Sequence, residues 1–323
     1  MFVHFFYVHF VFFDNYPLFF YFFCANISSG DHFRRFSYIN LFITSMNIQT
    51  HRADFGQKGM VSMDNPSFRT PTKVIMVTSS KGGVGKTTVV ANLSMTLALM
   101  GKRILAVDLD MGNRCLDLAL GLENQALYDI SDVLRGSVQP ESAAVEHPRC
   151  TFLRFVAAPP QPVSLLTPET FSAMIRSYAA GNYDFILIDT PGGTDAALVC
   201  AADSADAALI VSTEQAASIR SAERTGRYLQ ELGVANRRLV VNCFSGGLKK
   251  SEKRLVRLLQ VIDTVSIPLI GVVPFERNVW FSKTGEQLLD QSPLKNTAFA
   301  GAFRNIAARV VGRHVAVLDR AKF

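Results

Sequence analysis

The segment Lys73–Thr88, K-V-I-M-V-T-S-S-K-G-G-V-G-K-T-T, carries most of the information about the fold. Its first six residues form a β-branched run that predicts a strand. Apolar positions at Val89, Leu93 and Leu97 predict a helix directly after it. Between the two lies a glycine-rich loop, whose backbone N–H groups can close around phosphate oxygens at the helix N-terminus. The segment therefore predicts a phosphate-binding loop.

The side chains of this loop indicate a nucleoside triphosphate with Mg²⁺. Lys86 is placed to hold the β- and γ-phosphates, and the Thr87 hydroxyl to ligate Mg²⁺. The generic pattern G-x-x-x-x-G-K-[ST] requires glycine where Ser80 stands, and here an additional lysine, Lys81, precedes the double glycine. The predicted nucleotide-binding residues are Gly82, Gly83, Val84, Gly85, Lys86, Thr87 and Thr88.

The chain after residue 73 alternates short apolar runs with helical patterns. Such alternation is typical of β-α units on a parallel sheet, whose strands are continuous apolar runs because both faces are covered. We therefore expect an α/β fold, a doubly wound, mostly parallel sheet with helices on both faces, in one domain over residues 70–313. The expected strands are 73–78, 103–108, 151–157, 184–189, 207–212, 238–242 and 268–273.

Three carboxylates follow two of these strands. Asp108 and Asp110 come after one strand and Asp189 after another, where a doubly wound sheet binds its ligands. Asp189 is expected to hold Mg²⁺ through water, and Gly192-Gly193 after it fits a hinge that senses the γ-phosphate. Capping of the next helix is an alternative for Asp108 and Asp110.

Several motifs resemble one family. The loop K-G-G-V-G-K-T at residues 81–87 resembles the deviant Walker A motif of the MinD/ParA ATPases, and D-L-D-M-G at 108–112 resembles their switch I segment. Residues 113–124, N-R-C-L-D-L-A-L-G-L-E-N, resemble the MinD branch in particular. The resemblance spans about residues 73–312 and implies ATP hydrolysis with Mg²⁺ by a homodimer.

The resemblance also implies roles for single residues. Lys81 would reach the nucleotide of the partner subunit, Asp110 would position the attacking water, and Asp108 would support the Mg²⁺ shell. Asn242 and Pro274 would line the adenine pocket. Without the resemblance, Asn242 and Pro274 are equally consistent with a capping amide and a turn.

The implied function is spatial regulation, namely placement of the division septum. The resemblance also implies that the protein acts in the cytoplasm, peripherally at the inner face of the membrane. It implies a regulatory protein partner as well. A DNA-partitioning ATPase of the ParA type, with non-specific DNA as its surface, and a flagellar-number ATPase are the alternatives.

Two segments bear on which surface is bound. Residues 311–323 carry a small apolar stripe at Val311, Val315 and Leu318 with basic residues beside it, suggesting a weak lipid anchor or a frayed helix end. Residues 248–259 form a basic amphipathic pattern that suits DNA phosphates or lipid. The solvated side of a helix packed through Leu255, Leu258 and Leu259 is the alternative there.

Composition excludes several classes of protein. With 49% hydrophobic and 19% charged residues, the 323-residue chain is neither disordered nor a coiled coil. A net charge of +6 is too small to imply nucleic acid by itself. None of its 5 cysteines form a C-x-x-C motif, which argues against a zinc site. Their wide spacing fits a reduced, cytosolic protein.

The N-terminal segment 1–62 has a different composition, and its first 46 residues hold 13 of the 25 Phe. Polar residues and Pro17 interrupt its apolar runs, so a membrane-spanning helix of ~20 residues is disfavoured. No basic region precedes the first run, so a secretory signal is disfavoured too. We interpret it as an extension outside the fold, with translation starting at Met63, Met46 or Met60; a hydrophobic anchor is the alternative.

This interpretation predicts the mass of the native protein. Intact-mass spectrometry of the protein purified from its source should give a chain that lacks the N-terminal segment and begins at Met63, or at one of the two preceding methionines. A mass that includes Met1 would contradict the hypothesis.

Overall fold

The computed structural model describes residues 71–193, 195–245, 252–281, 288 and 294–316, with residues 252–255 described by their backbone alone. These residues belong to one compact unit, Asn65–Phe323. The predicted extension 1–62 lies outside the described residues. No helix in the described ranges is long and apolar enough to cross a membrane.

Eight strands form one sheet in the order β3-β4-β2-β5-β1-β6-β7-β8. Every neighbouring pair is parallel except β3 and β4. The strands are β1 (Lys73–Thr78), β2 (Ile104–Asp108), β3 (Val145–His147), β4 (Cys150–Val156), β5 (Phe185–Asp189), β6 (Ala207–Ser212), β7 (Arg237–Phe244) and β8 (Leu269–Pro274). The predicted fold class is confirmed, and the seven expected strands all form.

Ten helices of the described residues flank the sheet, and a 3-10 turn lies at Leu294–Asn296. They are α1 (Lys86–Leu99), α2 (Leu116–Leu120), α3 (Ile130–Leu134), α4 (Pro140–Ala143), α5 (Pro168–Ala179), α6 (Ala196–Ser204), α7 (Ala216–Glu231), α8 (Glu252–Val265), α9 (Arg277–Trp280) and α10 (Ala298–Val310). Two apolar clusters cover the two faces: α1, α2 and α10 contribute to one, and α5, α6, α7 and α8 to the other.

Helix α1 is buried almost all round because it lies between the sheet and α10. Its apolar residues therefore extend beyond the predicted stripe, as in helices that are covered on every side. Helix α10 instead has a distinct apolar face, and the rings of Phe299 and Phe303 are 5.0 Å apart on it. The first turn of α1 is thereby held rigidly under the loop that precedes it.

One of the two surface segments packs differently from the expectation, and the other is described only in part. The core-facing stripe of α8 passes through Leu258, Val261 and Val265, whereas Leu259 is 54% exposed, so it does not pack as predicted. Residues 248–251 and the side chain of Leu255 lie outside the described part of the chain.

The C-terminal apolar stripe is not helical where the structure describes it. Gly312 has a φ of 81°, which ends α10, and the last described residues after it are irregular. Residues 317–323 are outside the described residues.

Candidate functional site

The loop between β1 and α1 is held in its shape by glycine and by Asn242. Gly83 and Gly85 have φ angles of 73° and 89°, which L-residues with a side chain rarely adopt. A Cβ on Gly85 would also lie 2.3 Å from Nδ2 of Asn242. That Nδ2 donates a hydrogen bond of 2.9 Å to the carbonyl of Val84. The amide of Asn242, on β7, thus supports the phosphate loop itself, a contact that the sequence did not predict.

Ser80, which replaces the first glycine of the generic loop, is fastened to α7. Its backbone amide donates to Oγ1 of Thr225 at 3.2 Å, and its hydroxyl contacts Thr225 Oγ1 and the carbonyl of Ser221. A glycine would make only the first of these contacts. The serine therefore attaches the start of the loop to a neighbouring helix.

The two loop lysines occupy different environments. Lys86, the first residue of α1, is only 7% exposed, and it makes no ion pair within the described ranges. Lys81 lies at the surface, and its Nζ donates to Oε1 of Gln215 at 2.7 Å. A buried ammonium without an anionic partner is costly. Lys86 therefore marks a place where an anion would be stabilised.

Asp189 ends β5 next to this lysine and is fully buried. Its Oδ1 has no hydrogen-bond partner. Burial raises the pKa of Asp189 to about 7; a hydrogen bond with the Thr87 side chain and the charge of Lys86 oppose this rise, and the charge of Asp110 adds to it. A carboxylate oxygen left unpaired beside a threonine hydroxyl is the donor set expected for a hydrated Mg²⁺. Among the described residues no group of three or more His, Cys, Asp or Glu could hold a metal alone, so phosphate and water oxygens would complete the shell.

Asp108 pairs in register with Asp189 on the neighbouring strand. Its Oδ1 accepts from the amide of Asp110 at 2.9 Å, and its Oδ2 accepts from the amide of Leu116 at 3.2 Å. Burial and then the charge of Asp189 raise the pKa of Asp108 well above its usual value, while these two amides lower it. Because Leu116 begins α2, the side chain makes the helix-capping contact that was the alternative for this residue.

Asp110 is less buried than the other two carboxylates and lies in the loop after β2. Both of its oxygens accept from Nδ2 of Asn113 at 3.2 Å. Its charge acts on Asp108 and on Asp189. It is thus a half-open carboxylate at the same sheet edge, oriented by a neighbouring amide.

The turn after β5 lies against the phosphate loop. A Cβ on Gly192 would be 3.4 Å from Cα of Gly82 and 3.5 Å from Nζ of Lys86. The amide of Gly193 donates to the carbonyl of Ser79 at 3.4 Å. A Cβ at position 192 would lie in van der Waals contact with the loop, and Gly193 has a φ of 134°, so this turn packs directly against the phosphate loop.

A cavity of about 250 Å³ opens beside Gly85 and Thr88. Asn242 and Pro274, from neighbouring strands β7 and β8, both line it, so the structure brings together these two predicted residues and the loop. The rest of its lining was not predicted; it is mostly apolar apart from Glu276, and it comes from Cys243 on β7, the segment after Pro274 and α10. The aromatic residues in that segment were the sequence signal that could have indicated it.

Comparison with known proteins agrees with this geometry. Residues 70–311 match the ParA family model, described as NUBPL iron-transfer P-loop NTPase. The chain is 34% identical over 259 residues to the putative septum site-determining protein MinD of Tupiella akineta, covering 79% of this chain and 83% of that protein. It is 35% identical over 246 residues to the septum site-determining protein MinD of Bacillus subtilis (strain 168), covering 75% and 90%.

The chain belongs to the ParA/MinD family of P-loop NTPases.

Solved structures of this family have the same fold. The MinD of the MinC:MinD cell division protein complex of Aquifex aeolicus superposes with a TM-score of 0.67 at 32% identity, over 77% of this chain and 99% of that one. The septum site-determining protein MinD of Pyrococcus horikoshii OT3, complexed with Mg-ADP, gives a TM-score of 0.64 at 27% identity, over 75% and 96%. Nucleotide and Mg²⁺ binding are thus properties of this ParA/MinD family.

The raised pKa of Asp189 predicts a pH-dependent stability of the protein without nucleotide. The pKa of this carboxyl is about 7 in the folded protein, against 3.8 when it is unperturbed, as in the unfolded chain. Because the folded state holds the proton more tightly, the free energy of unfolding decreases as pH rises from the lower to the higher value. Asp189→Asn removes this ionisation. It should raise the free energy of unfolding at pH 8 by on the order of 4 kcal/mol, and change it little at pH 4. Urea unfolding in EDTA at both pH values measures this.

Asp263→Asn provides the control, because Asp263 is exposed on α8. It should change stability by less than about 0.5 kcal/mol at either pH. An Asp189→Asn variant that is less stable than the parent at pH 8, or equally stabilised at both pH values, would refute the burial argument.

Proposed function

We propose that this protein is a MinD-like ATPase that dimerises on binding ATP and acts in spatial regulation, most directly in placement of the division septum. The observation that carries the proposal is the pair of buried groups under the phosphate loop. Lys86 makes no ion pair within the described ranges, and Asp189 Oδ1 has no hydrogen-bond partner. The two relatives named as MinD and the MinD neighbours support the choice of branch.

We assign the phosphates of the nucleotide to the loop between β1 and α1. The backbone amides of residues 82–88 would surround the phosphate oxygens, and the N-terminus of α1 would add its dipole. Lys86 would hold the β- and γ-phosphates. Since its ammonium is already desolvated, the phosphate charge would complete an interaction that the folded chain leaves open.

The Mg²⁺ ion would be held by the Thr87 hydroxyl and, through water, by Asp189. When bound, the ion neutralises charge on the phosphates during phosphoryl transfer. Asp108 would act from further away, since both of its oxygens accept backbone amides. Its contribution is to hold the loop of Asp110 beside the phosphates.

Asp110 would orient the water that attacks the γ-phosphate, with Asn113 fixing the carboxylate. Asn242 and Pro274 would border the base. One N–H of the Asn242 amide is engaged by Val84, so its second N–H and the carboxamide oxygen remain for the edge of the base. The reaction would be hydrolysis of ATP to ADP and phosphate.

Lys81 would act in trans, on the nucleotide of a second subunit. Its side chain is at the surface and is held by Gln215. A second cation near the γ-phosphate stabilises charge that develops in the transition state. Dimerisation would therefore replace the Gln215 contact with a phosphate contact and couple assembly to hydrolysis.

The proposed partners are a second copy of this chain and a regulatory protein. The Aquifex structure contains MinC with MinD, and that pairing supports a partner of the septum-inhibitor type here. A peripheral membrane surface is the proposed site of action. One weak anchor binds lipid only reversibly, so attachment would depend on the dimer presenting two anchors.

Lys86→Ala should abolish nucleotide binding. Removing the buried cation takes away the charge that faces the phosphates, so ADP affinity should fall by about 100-fold or more. Isothermal titration with Mg-ADP measures this affinity, and near-parental affinity would overturn the loop assignment.

Lys81→Ala should keep nucleotide affinity but lose ATP-dependent dimerisation or stimulated hydrolysis. Lys73→Ala, at the opposite end of β1, is the matched control and should alter neither.

The surface on which the protein acts can be identified by co-sedimentation. The chain from Met63 is incubated with anionic vesicles or with plasmid DNA, in ATP or ADP. ATP-dependent binding to vesicles is expected. Binding to DNA instead would favour the DNA-partitioning alternative, and binding to neither would leave a role through protein partners alone and contradict the membrane proposal.

A further inference from the structure

The apolar end of the cavity beside the phosphate loop is built by residues that the proposed function does not use. Beside the residues already assigned to the nucleotide site, the cavity is lined by five side chains that are apolar or weakly polar and by one carboxylate: Cys243, Phe275, Val279, Trp280, Phe299 and Glu276. Val279 and Phe299 are buried and form the floor. Pockets of this kind, apolar with a few polar groups, are typical binding sites for planar ligands.

Two aromatic rings stand at the rim of this floor. Phe275 is 44% exposed and Trp280 is 58% exposed, although both are large apolar side chains. Their ring centroids are 5.8 Å apart, and the ring planes meet at 51°. Each ring therefore offers a face that no described residue covers fully, directly beside the cavity.

The short helix α9 fixes the position of these rings. The side chain of Glu276 accepts from the amide of Asn278 at 3.2 Å and caps the helix. The amide of Trp280 donates to the carbonyl of Glu276 at 3.1 Å. Because Phe275 directly follows β8 and Trp280 ends α9, the backbone between the rings is hydrogen-bonded within itself. The rim is thus pre-organised for a ligand.

We propose that Trp280, with Phe275, is the stacking platform for the purine ring of the bound nucleotide. The inference rests on the proposed nucleotide site, because the phosphate loop forms the other end of the same cavity. Aromatic faces stack on bases without reading their edges. One N–H of Asn242 already serves Val84, so the edge of the base has few protein partners and stacking adds affinity for the base. Purines, with the larger π-face, are therefore preferred over pyrimidines.

Phe281, the neighbour of Trp280, provides a matched control. It is 63% exposed but does not line the cavity. The guanidinium of Arg277 lies 5.5 Å from its ring centroid, so its face is already occupied by a cation. Substitution of Phe281 changes an exposed aromatic residue of the same segment without touching the platform.

Trp280 is the sole tryptophan of the chain, so its emission reports directly on this site. The full chain is titrated with Mg-ADP, Mg-CDP and tripolyphosphate while tryptophan emission is recorded, and binding is measured in parallel by calorimetry. Mg-ADP should change the emission in a saturable way. Tripolyphosphate should bind without that change, since it lacks a base, and Mg-CDP should bind more weakly than Mg-ADP.

Variants separate stacking from folding. Trp280→Leu should bind Mg-ADP about tenfold more weakly and tripolyphosphate as tightly as the parent. Trp280→Phe should recover most of the loss, and Phe281→Leu should bind like the parent. If Mg-ADP binds while Trp280→Leu has parental affinity, or without a change in emission, the platform is refuted and the nucleotide site stands. If the parent binds neither Mg-ADP nor tripolyphosphate, the proposed function fails as well.

Discussion

The burial of opposite charges at the carboxyl edge of the sheet is the constraint on which the rest of the site depends. Parallel strands β1, β2 and β5 bring Lys86, Asp108 and Asp189 to one edge, and the apolar layers on both faces keep water from them. Charged groups in such surroundings are stable only with partners. Asp108 accepts two backbone amides, whereas Lys86 makes no ion pair within the described ranges and one oxygen of Asp189 has no hydrogen-bond partner, which is why we proposed a bound anion and cation there.

The sequence predicted the features that arise from local pattern. Strands β1 and β6 have the predicted bounds, and the other five expected strands differ by one to two residues at their ends. Strand β3 was missed because three residues, Val145–His147, are too few to show a period, and the strand exists only by pairing with β4. The exposure of Leu259 was missed because a helical pattern does not reveal which of two adjacent apolar positions faces the core.

The candidate site was predicted residue by residue, but not the contacts that hold it. Asn242 was expected to meet a base, and its nitrogen supports Val84. Asp108 was expected near Mg²⁺, and both of its oxygens accept backbone amides. The Asn242 hydrogen bond joins residues that are far apart in the chain. A motif predicts the type and position of a side chain but not its hydrogen-bond partners. Trp280 belongs to no motif, so only the cavity identified it.

The attachment of the phosphate loop to α7 has a mechanical consequence. Ser80 is joined to Ser221 and Thr225, and Lys81 to Gln215 at the start of the same helix. Gln215 and Ser221 are separated along the helix axis by roughly 9 Å. Because two points of the phosphate loop are attached to the same helix, the loop can neither slide nor rotate independently of α7. The position of the start of the phosphate loop therefore depends on how α7 packs on the sheet, and sequence changes under that helix would shift the loop without contacting it.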